Sequence, residues 1–261
     1  MAAAADFNRA LYLGMRHPWR SLPPWGALST GAPDALRPVP GASGVAAELA
    51  RLQGCAAGVL APSTLHLFWD LFVVLGPART ALFLDDGSYA IGRWGVERAA
   101  SHGAPVHRFR HHDAGALHRA LARHAGRGRT PVVVADGWSP LAGGPAPLAE
   151  YRQAAREHGG LLVLDDTQAL GILGARPSPE KPWGIGGGGS IPWSGLSPAD
   201  PGGIDGDGDG GDVAAASSLA KGFGVPVAVL CGSEALVARF RDRAETRVHC
   251  SPPSEAVVHA A

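Results

Sequence analysis

The chain is poor in lysine. Its 23 lysine and arginine residues include lysine only at Lys181 and Lys221. Lys221 lies in the apolar stretch 214–230, AAASSLAKGFGVPVAVL, where it is the only charged residue. A solvated positive charge would follow the chain's preference for arginine, whereas a desolvated lysine amine can lose its proton and act as a nucleophile. We therefore treat Lys221 as a candidate catalytic residue rather than as a surface lysine at a strand end.

Features typical of several other protein classes are also missing. No apolar run approaches the roughly 18 residues needed to cross a membrane, and the 23 acidic residues balance the 23 basic ones, so no excess positive charge favours nucleic acid. The start of the sequence has no basic region followed by a long apolar segment, so we expect no signal peptide. Three cysteines without metal-ligand spacing indicate free thiols in a reducing cytoplasm. Neither a G-x-S-x-G elbow nor a P-loop occurs.

Helical and strand patterns alternate through most of the chain. The predicted helices cover 45–52, 64–76, 91–103, 114–126 and 147–160, and the predicted strands cover 80–86, 105–109, 130–137 and 161–166. Short apolar strands separated by helices predict an α/β fold with a mostly parallel sheet and helices on both faces. Ligands bind such sheets at the carboxyl ends of the strands. The polar residues at these ends are Asp85, Asp86, Asp136, Asp165, Asp166, Ser217 and Ser218.

Composition divides the chain into three parts. We interpret 1–43 as an N-terminal arm and the start of the domain, 44–250 as a large domain, and 251–261 as the start of a truncated C-terminal region. Within the large domain, residues 175–212 are dense in Gly, Pro and Asp, so we expect a flexible insertion there without a core element.

Two stretches are superficially similar to metal sites. The segment HRFRHHD contains His107, His111 and His112, but a polar strand end that runs into a loop explains it better. The spacing of the aspartates in 205–210 imitates a calcium loop, but Ala216 stands where a bidentate glutamate is needed. We predict no metal site.

A Schiff base on Lys221 suggests pyridoxal phosphate as the cofactor. This cofactor needs a carboxylate for its pyridine nitrogen, N–H groups and hydroxyls for its phosphate, and a flat partner for its ring. Asp165 ends the buried strand LLVLD and can supply the carboxylate. Ser63 and Thr64 open a predicted helix, Ser218 adds a hydroxyl three residues before Lys221, and Tyr89 offers a ring.

The chain resembles the α-oxoamine synthases, pyridoxal-phosphate enzymes of fold-type I that include 8-amino-7-oxononanoate synthase, 5-aminolevulinate synthase and serine palmitoyltransferase. The blocks that carry the resemblance are LYLGMRHP (11–18), DGWSPLAGGPAPL (136–148), LLVLDDTQALGILG (161–174) and SSLAKGFG (217–224). They are similar to the family's YLGL…HP, DGvfSMdGdiAPL, lmvDDAHgtGvlG and tfsKafG motifs, in the same order. The family belongs to the superfamily of class I/II aminotransferases.

The resemblance implies a role for each aligned residue. Lys221 aligns with the Schiff-base lysine and Asp165 with the pyridinium partner, and Tyr89 replaces the histidine that stacks on the ring. These three are the expected catalytic residues. The expected cofactor-binding residues are Ser63, Thr64, Tyr89, Ser139, Asp165, Gln168, Ser218 and Lys221.

The chain also departs from the family pattern. Gln168 replaces the histidine of DDAH, so it can donate a hydrogen bond but cannot titrate near neutral pH. Pro140 occupies the position of a cofactor-contacting serine, for which the adjacent Ser139 can substitute. Leu11 replaces a polar residue, and the family's C-terminal small domain, which carries an arginine for the substrate carboxylate, has no counterpart in the sequence.

The resemblance implies a transferase that condenses an amino acid with an acyl-CoA or another acyl thioester to an α-aminoketone. An aminotransferase of class I/II and a non-catalytic partner subunit remain alternatives. Family members are typically homodimers, so we expect a homodimer or a heteromer, in the cytoplasm and with neither nucleic acid nor a membrane span.

Overall fold

The computed structural model describes residues 30–140, 143–197 and 211–261. The strands are β1 (Ala57–Ala61), β2 (Thr80–Asp85), β3 (Val106–Phe109), β4 (Thr130–Asp136), β5 (Trp138–Ser139), β6 (Gly144–Pro145), β7 (Leu161–Asp165), β8 (Val213–Ser218) and β9 (Ala228–Gly232). The helices are α1 (Ala42–Gln53), α2 (Thr64–Val74), α3 (Ala90–Ser101), α4 (Ala114–His124), α5 (Leu148–Arg156), α6 (Ser190–Trp193), α7 (Leu219–Gly222), α8 (Glu234–Arg243), α9 (Glu245–His249) and α10 (Glu255–Ala260). The motif 11–18 lies outside the described residues.

A 7-stranded sheet with the order β1-β9-β8-β7-β4-β2-β3 forms the centre of the molecule. Neighbouring strands from β8 to β3 are parallel, and β9 runs antiparallel to both β8 and β1. The α/β class with a mostly parallel sheet is thereby confirmed. Since only β9 is reversed, β1 points the same way as the parallel strands, and its carboxyl end lies at their edge.

Alternate residues of the strands face two separate hydrophobic cores. Phe83, Val133 and Leu162 point into one core together with apolar residues of α1, α4 and α5. Their sequence neighbours, such as Leu82 and Val134, point into the other core with α2, α3 and α8. Strands that are buried on both faces have continuous apolar sequences, which is why LFL, VVV and LLVL were recognisable as strands.

The strand β1 was not predicted. Its sequence AGVLA contains little of the β-branched and aromatic character that marks strands, and its pairing with β9 fixes it instead. Gly58 is required there, because a Cβ at this position would lie 2.5 Å from the carbonyl oxygen of Ala46. Long-range backbone packing therefore determines this strand.

The expectation that residues 175–212 hold no core element is wrong for residues 175–197. The helix α6 lies there, and its Ile191 is fully buried in the core that contains α1. Backbone packing replaces side-chain packing in this segment, because a Cβ on Gly184 would lie 1.9 Å from the carbonyl oxygen of Gly174. Glycine thus lets two stretches of backbone approach each other, and the composition that suggested flexibility allows close packing. The calcium-like aspartates at 205–209 lie outside the described residues.

All three cysteines are free, as predicted, and Cys55 and Cys231 are buried. Within the described ranges, no helix has the combination of length and apolar character that is needed to cross a bilayer.

A buried histidine lies on the core side of α4. His124 is 5% exposed, and its ring lies 5.6 Å from the ring of Phe83 and 5.0 Å from that of His107. Within the described part of the chain, neither ring nitrogen of His124 has a hydrogen-bond partner. Burial lowers the pKa of His124, and the neighbouring positive charges of Arg127 and a protonated His107 lower it further.

We predict that replacing His124 makes stability less sensitive to acid. The unfolded chain binds a proton at this histidine more readily than the folded chain does. The free energy of unfolding therefore falls as the pH drops below about 6.5, with a slope of at most about 1.4 kcal/mol per pH unit from this group. We expect His124→Leu to remove this contribution to the pH dependence of the free energy of unfolding, measured by urea unfolding between pH 8 and 5. His118→Leu on the same helix, where the side chain is 43% exposed, should behave like wild type. Equal slopes for His124→Leu and wild type would contradict the prediction.

Candidate functional site

A cavity of about 240 Å³ opens at the carboxyl ends of β4, β7 and β8. The residues of the predicted site that line it are Thr64, Tyr89, Asp165, Gln168, Ser218 and Lys221. Asp136, Pro140 and Thr167 also face it. Residues separated by more than 150 positions in the sequence therefore meet at the edge of the sheet where the topology predicts a ligand site.

Two predicted residues, Ser63 and Ser139, are not among the lining residues. The Ser63 hydroxyl lies 2.8 Å from Nδ1 of His66. Ser139 is fully buried, and its Oγ lies 3.1 Å from Nε2 of His111. The residue after Ser139, Pro140, faces the cavity instead. A cofactor contact from Ser63 or Ser139 stays a prediction.

Lys221 lies on the one-turn helix α7, in the reversal of the chain between β8 and β9. Ser218 caps this helix, since its Oγ accepts a hydrogen bond of 3.2 Å from the amide of Ala220. The amide of Leu219 donates to the carbonyl oxygen of Val227 at 2.8 Å and closes the reversal. Burial lowers the pKa of Lys221, and the charges of nearby carboxylates oppose this shift. A lowered pKa increases the fraction of neutral, nucleophilic amine.

Asp165 and Asp136 are neighbouring carboxylates at the ends of β7 and β4. The two residues are in register as partners across the strands. Burial raises the pKa of both carboxyl groups, to about 7 for Asp136, where the charge of Asp165 adds to the effect. The charge of Lys221 lowers both pKa values. A further cation placed beside Asp165 would stabilise its ionised form.

Thr167 connects Asp165 to β8, a role that the sequence analysis missed. Its amide donates to Oδ1 of Asp165 at 3.1 Å, and its hydroxyl also donates to this carboxylate. The same hydroxyl oxygen accepts a 3.1 Å hydrogen bond from the amide of Ser218. Asp136 is fixed in a similar way, because both of its oxygens lie 3.1 Å from the amide of Tyr89. A hydroxyl residue two positions after Asp165 was the only sequence signal for the first connection.

The amino end of α2 lies at the same cavity. Ser63 stands at the N-cap position, but its side chain makes no capping hydrogen bond. Thr64, the first residue of the helix, lines the cavity. Free N–H groups and the positive end of the helix dipole are a favourable environment for a phosphate. Together with a buried carboxylate, an amine and the Tyr89 ring, these groups fit pyridoxal phosphate.

Asp166 holds segment 175–197 next to the site. It is fully buried, and it accepts hydrogen bonds from the amide of Ser190 at 2.9 Å and from the Ser190 hydroxyl. Burial raises the pKa of Asp166 to about 7, and the two Ser190 hydrogen bonds oppose the shift. The first Asp of the DD pair therefore faces the cavity, while the second anchors the glycine-rich segment.

Asp85, His111 and His112 form the group in the described residues that comes closest to a metal site. One ligand atom from each lies within 4.8 Å of the others. However, Oδ1 of Asp85 is 2.6 Å from Nδ1 of His111, which is a hydrogen-bond distance, and Asp85 also accepts from the amides of Gly87 and His112 and from the Tyr151 hydroxyl. A cation would have to displace these donors, so the group fits a hydrogen-bonded junction better. The absence of a metal stays a prediction.

The chain is similar in sequence to known proteins. The chain is 32% identical over 161 residues to 8-amino-7-oxononanoate synthase of Alkalilimnicola ehrlichii, an alignment that covers 62% of this chain and 35% of the relative. It is 34% identical over 159 residues to the enzyme of the same name from Methylococcus capsulatus, with 60% and 35% covered. No protein-family model matches the chain.

Among solved structures, serine palmitoyltransferase from S. paucimobilis, bound to a pyridoxal phosphate–myriocin aldimine, is similar with a TM-score of 0.73 and 18% identity. The match covers 90% of this chain and 53% of that structure. For 8-amino-7-oxononanoate synthase from Francisella tularensis the TM-score is 0.66 at 16% identity, with 85% and 56% covered. The fold is therefore that of the large domain of pyridoxal-phosphate-dependent transferases.

The sequence matches narrow this class further and confirm the resemblance. The chain is a relative of the α-oxoamine synthases. The matched region spans about a third of the length of the curated relatives, at 35% of each.

We predict that Asp166→Ala destabilises the protein much more than Asp86→Ala. The first change leaves the buried donors of Ser190 without their acceptor, which should lower the free energy of unfolding by about 2–3 kcal/mol. Asp86 is also the second residue of a DD pair, but its side chain is 44% exposed and pairs with Arg108, so its loss should cost at most about 1 kcal/mol. Urea unfolding of both variants tests this difference. Similar losses in the two variants would show that Ser190 is not held through Asp166.

Proposed function

We propose that the chain binds pyridoxal 5′-phosphate in this cavity and belongs to an enzyme that joins an amino acid to an acyl thioester. The observation that carries the proposal is the convergence of Lys221, Asp165 and Thr64 on one cavity. When bound, pyridoxal phosphate supplies an electron sink for a carbanion at the substrate α-carbon. The protein must hold that group, keep its ring nitrogen protonated and move a proton.

Asp165 is the residue that we assign to the ring nitrogen. Its pKa is raised by burial, so an ionised carboxylate gains most from a cationic partner within this low-dielectric site. Thr167 fixes the carboxylate through Oδ1. This arrangement supports a protonated pyridine nitrogen, which the electron sink requires.

The other groups hold and orient the cofactor. The N–H groups at the start of α2, with the hydroxyl of Thr64, suit the phosphate. Tyr89 supplies a ring on the cavity wall, and its amide is fixed by Asp136. Ser218 keeps its own O–H as a donor while its oxygen accepts from Ala220. Gln168 lines the cavity and has an amide that can donate to an anionic oxygen.

Lys221 is the residue that we assign to the covalent link and to proton transfer. Its pKa is lowered by burial, which favours the neutral form of Nζ that can act as nucleophile and then as base at the substrate α-carbon. With the cofactor bound, a carbon–carbon bond would form between the substrate α-carbon and the acyl carbon of an acyl-CoA or acyl-carrier thioester, while the carbon–sulfur bond breaks and the thiol leaves. Relatives that carry the name 8-amino-7-oxononanoate synthase support this acyl-transfer class over the aminotransferase alternative.

A non-catalytic partner subunit is the second candidate function. Pro140 and Gln168 stand where the family has a cofactor-contacting serine and histidine, and both line the cavity. In a heteromer, another chain would then carry out the reaction. Retention of the Lys221 and Asp165 pair favours the catalytic candidate.

The two lysines of the sequence provide a matched test of cofactor binding. We predict that purified protein mixed with pyridoxal phosphate gains a visible absorbance band, and that borohydride reduction followed by peptide mapping places the label on Lys221. Lys181→Arg, a change at an exposed position, should keep the band, and Lys221→Arg should abolish it because arginine cannot deprotonate. A label on Lys181, or none, would refute the proposal.

Asp165→Asn should weaken cofactor binding and turnover by about 100-fold, because a charge-assisted hydrogen bond in a buried site is lost while Thr167 keeps an oxygen partner. Asp86→Asn, at an exposed position, is the control and should bind like wild type. Absorbance titration measures affinity, and thiol release from acyl-CoA with a panel of amino acids measures turnover. Amino-group exchange without thiol release would favour the aminotransferase. Cofactor binding without either reaction would favour the partner subunit.

A further inference from the structure

A hydrogen-bonded chain, Asp85–His111–Ser139, runs beside the cavity. Oδ1 of Asp85 lies 2.6 Å from Nδ1 of His111, and Nε2 of His111 lies 3.1 Å from Oγ of Ser139. The order of these residues is that of a hydrolase triad. However, Ser139 is fully buried, so it cannot reach a substrate as a nucleophile. Any role of these three hydrogen-bonded residues must therefore come from the backbone segments that they connect.

Asp85 is the fixed end of this chain. It is 1% exposed, and it accepts hydrogen bonds from the amide of Gly87 at 2.8 Å, from the amide of His112 at 3.2 Å and from the hydroxyl of Tyr151 at 2.9 Å. An ionised carboxylate accepts hydrogen bonds only, so Nδ1 of His111 is the donor toward Asp85. In the neutral ring Nε2 is then an acceptor, and the Ser139 hydroxyl donates to it.

The ring of His111 also lies directly on the turn that follows β2. A Cβ on Gly87 would come within 2.2 Å of Nδ1 of His111, so this glycine is required for the contact. Two residues further on, Tyr89 faces the cavity. At the other end of the ring, Ser139 immediately precedes Pro140, which also faces the cavity. His111 therefore touches both backbone segments that carry this cavity wall.

We propose that His111 is a positioning residue that holds Tyr89 and Pro140 in place through Gly87 and Ser139. It does not line the cavity and acts only through these neighbours. In the family pattern, the residue that aligns with Pro140 is a serine that contacts the cofactor. In this chain the hydroxyl belongs to Ser139 and lies against His111 instead. Of the measurements below, only that of cofactor binding rests on the proposed function.

Hydrogen–deuterium exchange on the protein without added cofactor tests the proposal. His111→Phe keeps a flat ring against Gly87 and removes both nitrogens. Amide exchange in 86–90 and 137–139 should become about tenfold faster, as expected from the loss of one or two hydrogen bonds. Exchange in β7 and β8 should not change. His118→Phe, the same substitution at a partly exposed site on α4, should match wild type in every segment.

Two further variants test the hydrogen bond between His111 and Ser139. One removes the Ser139 hydroxyl, and the other restores a polar side chain at position 111. Ser139→Ala should accelerate exchange in the same two segments, and the double variant with His111→Phe should add little, because the two side chains act as one unit. His111→Gln retains a donor and an acceptor and should restore part of the protection. If His111→Phe does not fold, Ser139→Ala alone decides. Unchanged exchange in 86–90 after Ser139→Ala, or additive effects in the double variant, would overturn the proposal.

The cofactor readout separates this inference from the proposed function. In His111→Phe the affinity for pyridoxal phosphate should fall about tenfold, and the visible circular dichroism of the bound cofactor should change, because the ring wall at Tyr89 moves. If wild type binds no pyridoxal phosphate but the exchange pattern is as expected, the proposed function fails and the positioning role stands. If wild type binds it and exchange in His111→Phe equals wild type, the positioning role fails.

Discussion

The burial of two neighbouring carboxylates is the constraint on which the site depends. Asp136 and Asp165 are partners in register on adjacent parallel strands, so the geometry of the sheet forces their side chains together. Removing two like charges from water is unfavourable unless hydrogen bonds and opposite charges compensate. Tyr89, Thr167 and Lys221 each supply part of that compensation. Under the proposed function, a cationic ring nitrogen next to Asp165 would supply the rest.

The sequence was sufficient to predict helices α1 to α5, strands β2, β3, β4 and β7, and the edge of the sheet where the site lies. Buried strands such as LLVLD ended in carboxylates, and parallel strands bring such ends together. Lys221 could be singled out because the chain otherwise uses arginine. The same reasoning missed β1, whose short AGVLA sequence has weak strand character and depends on its partner β9. Local preference cannot reveal an element that only distant pairing stabilises.

Contacts between distant residues account for the rest of what the sequence did not reveal. Residues 175–197 were expected to be flexible because few of their side chains can form a core. The hydrogen bond from Ser190 to Asp166, which lies just after β7, holds this segment in place. Likewise, the sequence singled out His111 and Ser139 for separate reasons but not their link, which depends on β3 and β4 both pairing with β2. Composition shows which side chains are available for a core. It does not show where two backbone segments pack so closely that no side chain is needed between them.

The reversed direction of β9 has a consequence for how the lysine is held. A parallel successor to β8 would require a crossover of a dozen residues or more, and Lys221 would lie on a long connection. Because β9 is antiparallel, the chain returns within residues 219–227, and the hydrogen bond between Leu219 and Val227 closes the path. A short closed connection has few accessible conformations, so little configurational entropy would be lost if the amine reacts as proposed. The position of Nζ then depends mainly on the conformation of the lysine side chain. One residue inserted into 219–227 would therefore displace Nζ more than substitutions of the neighbouring side chains would.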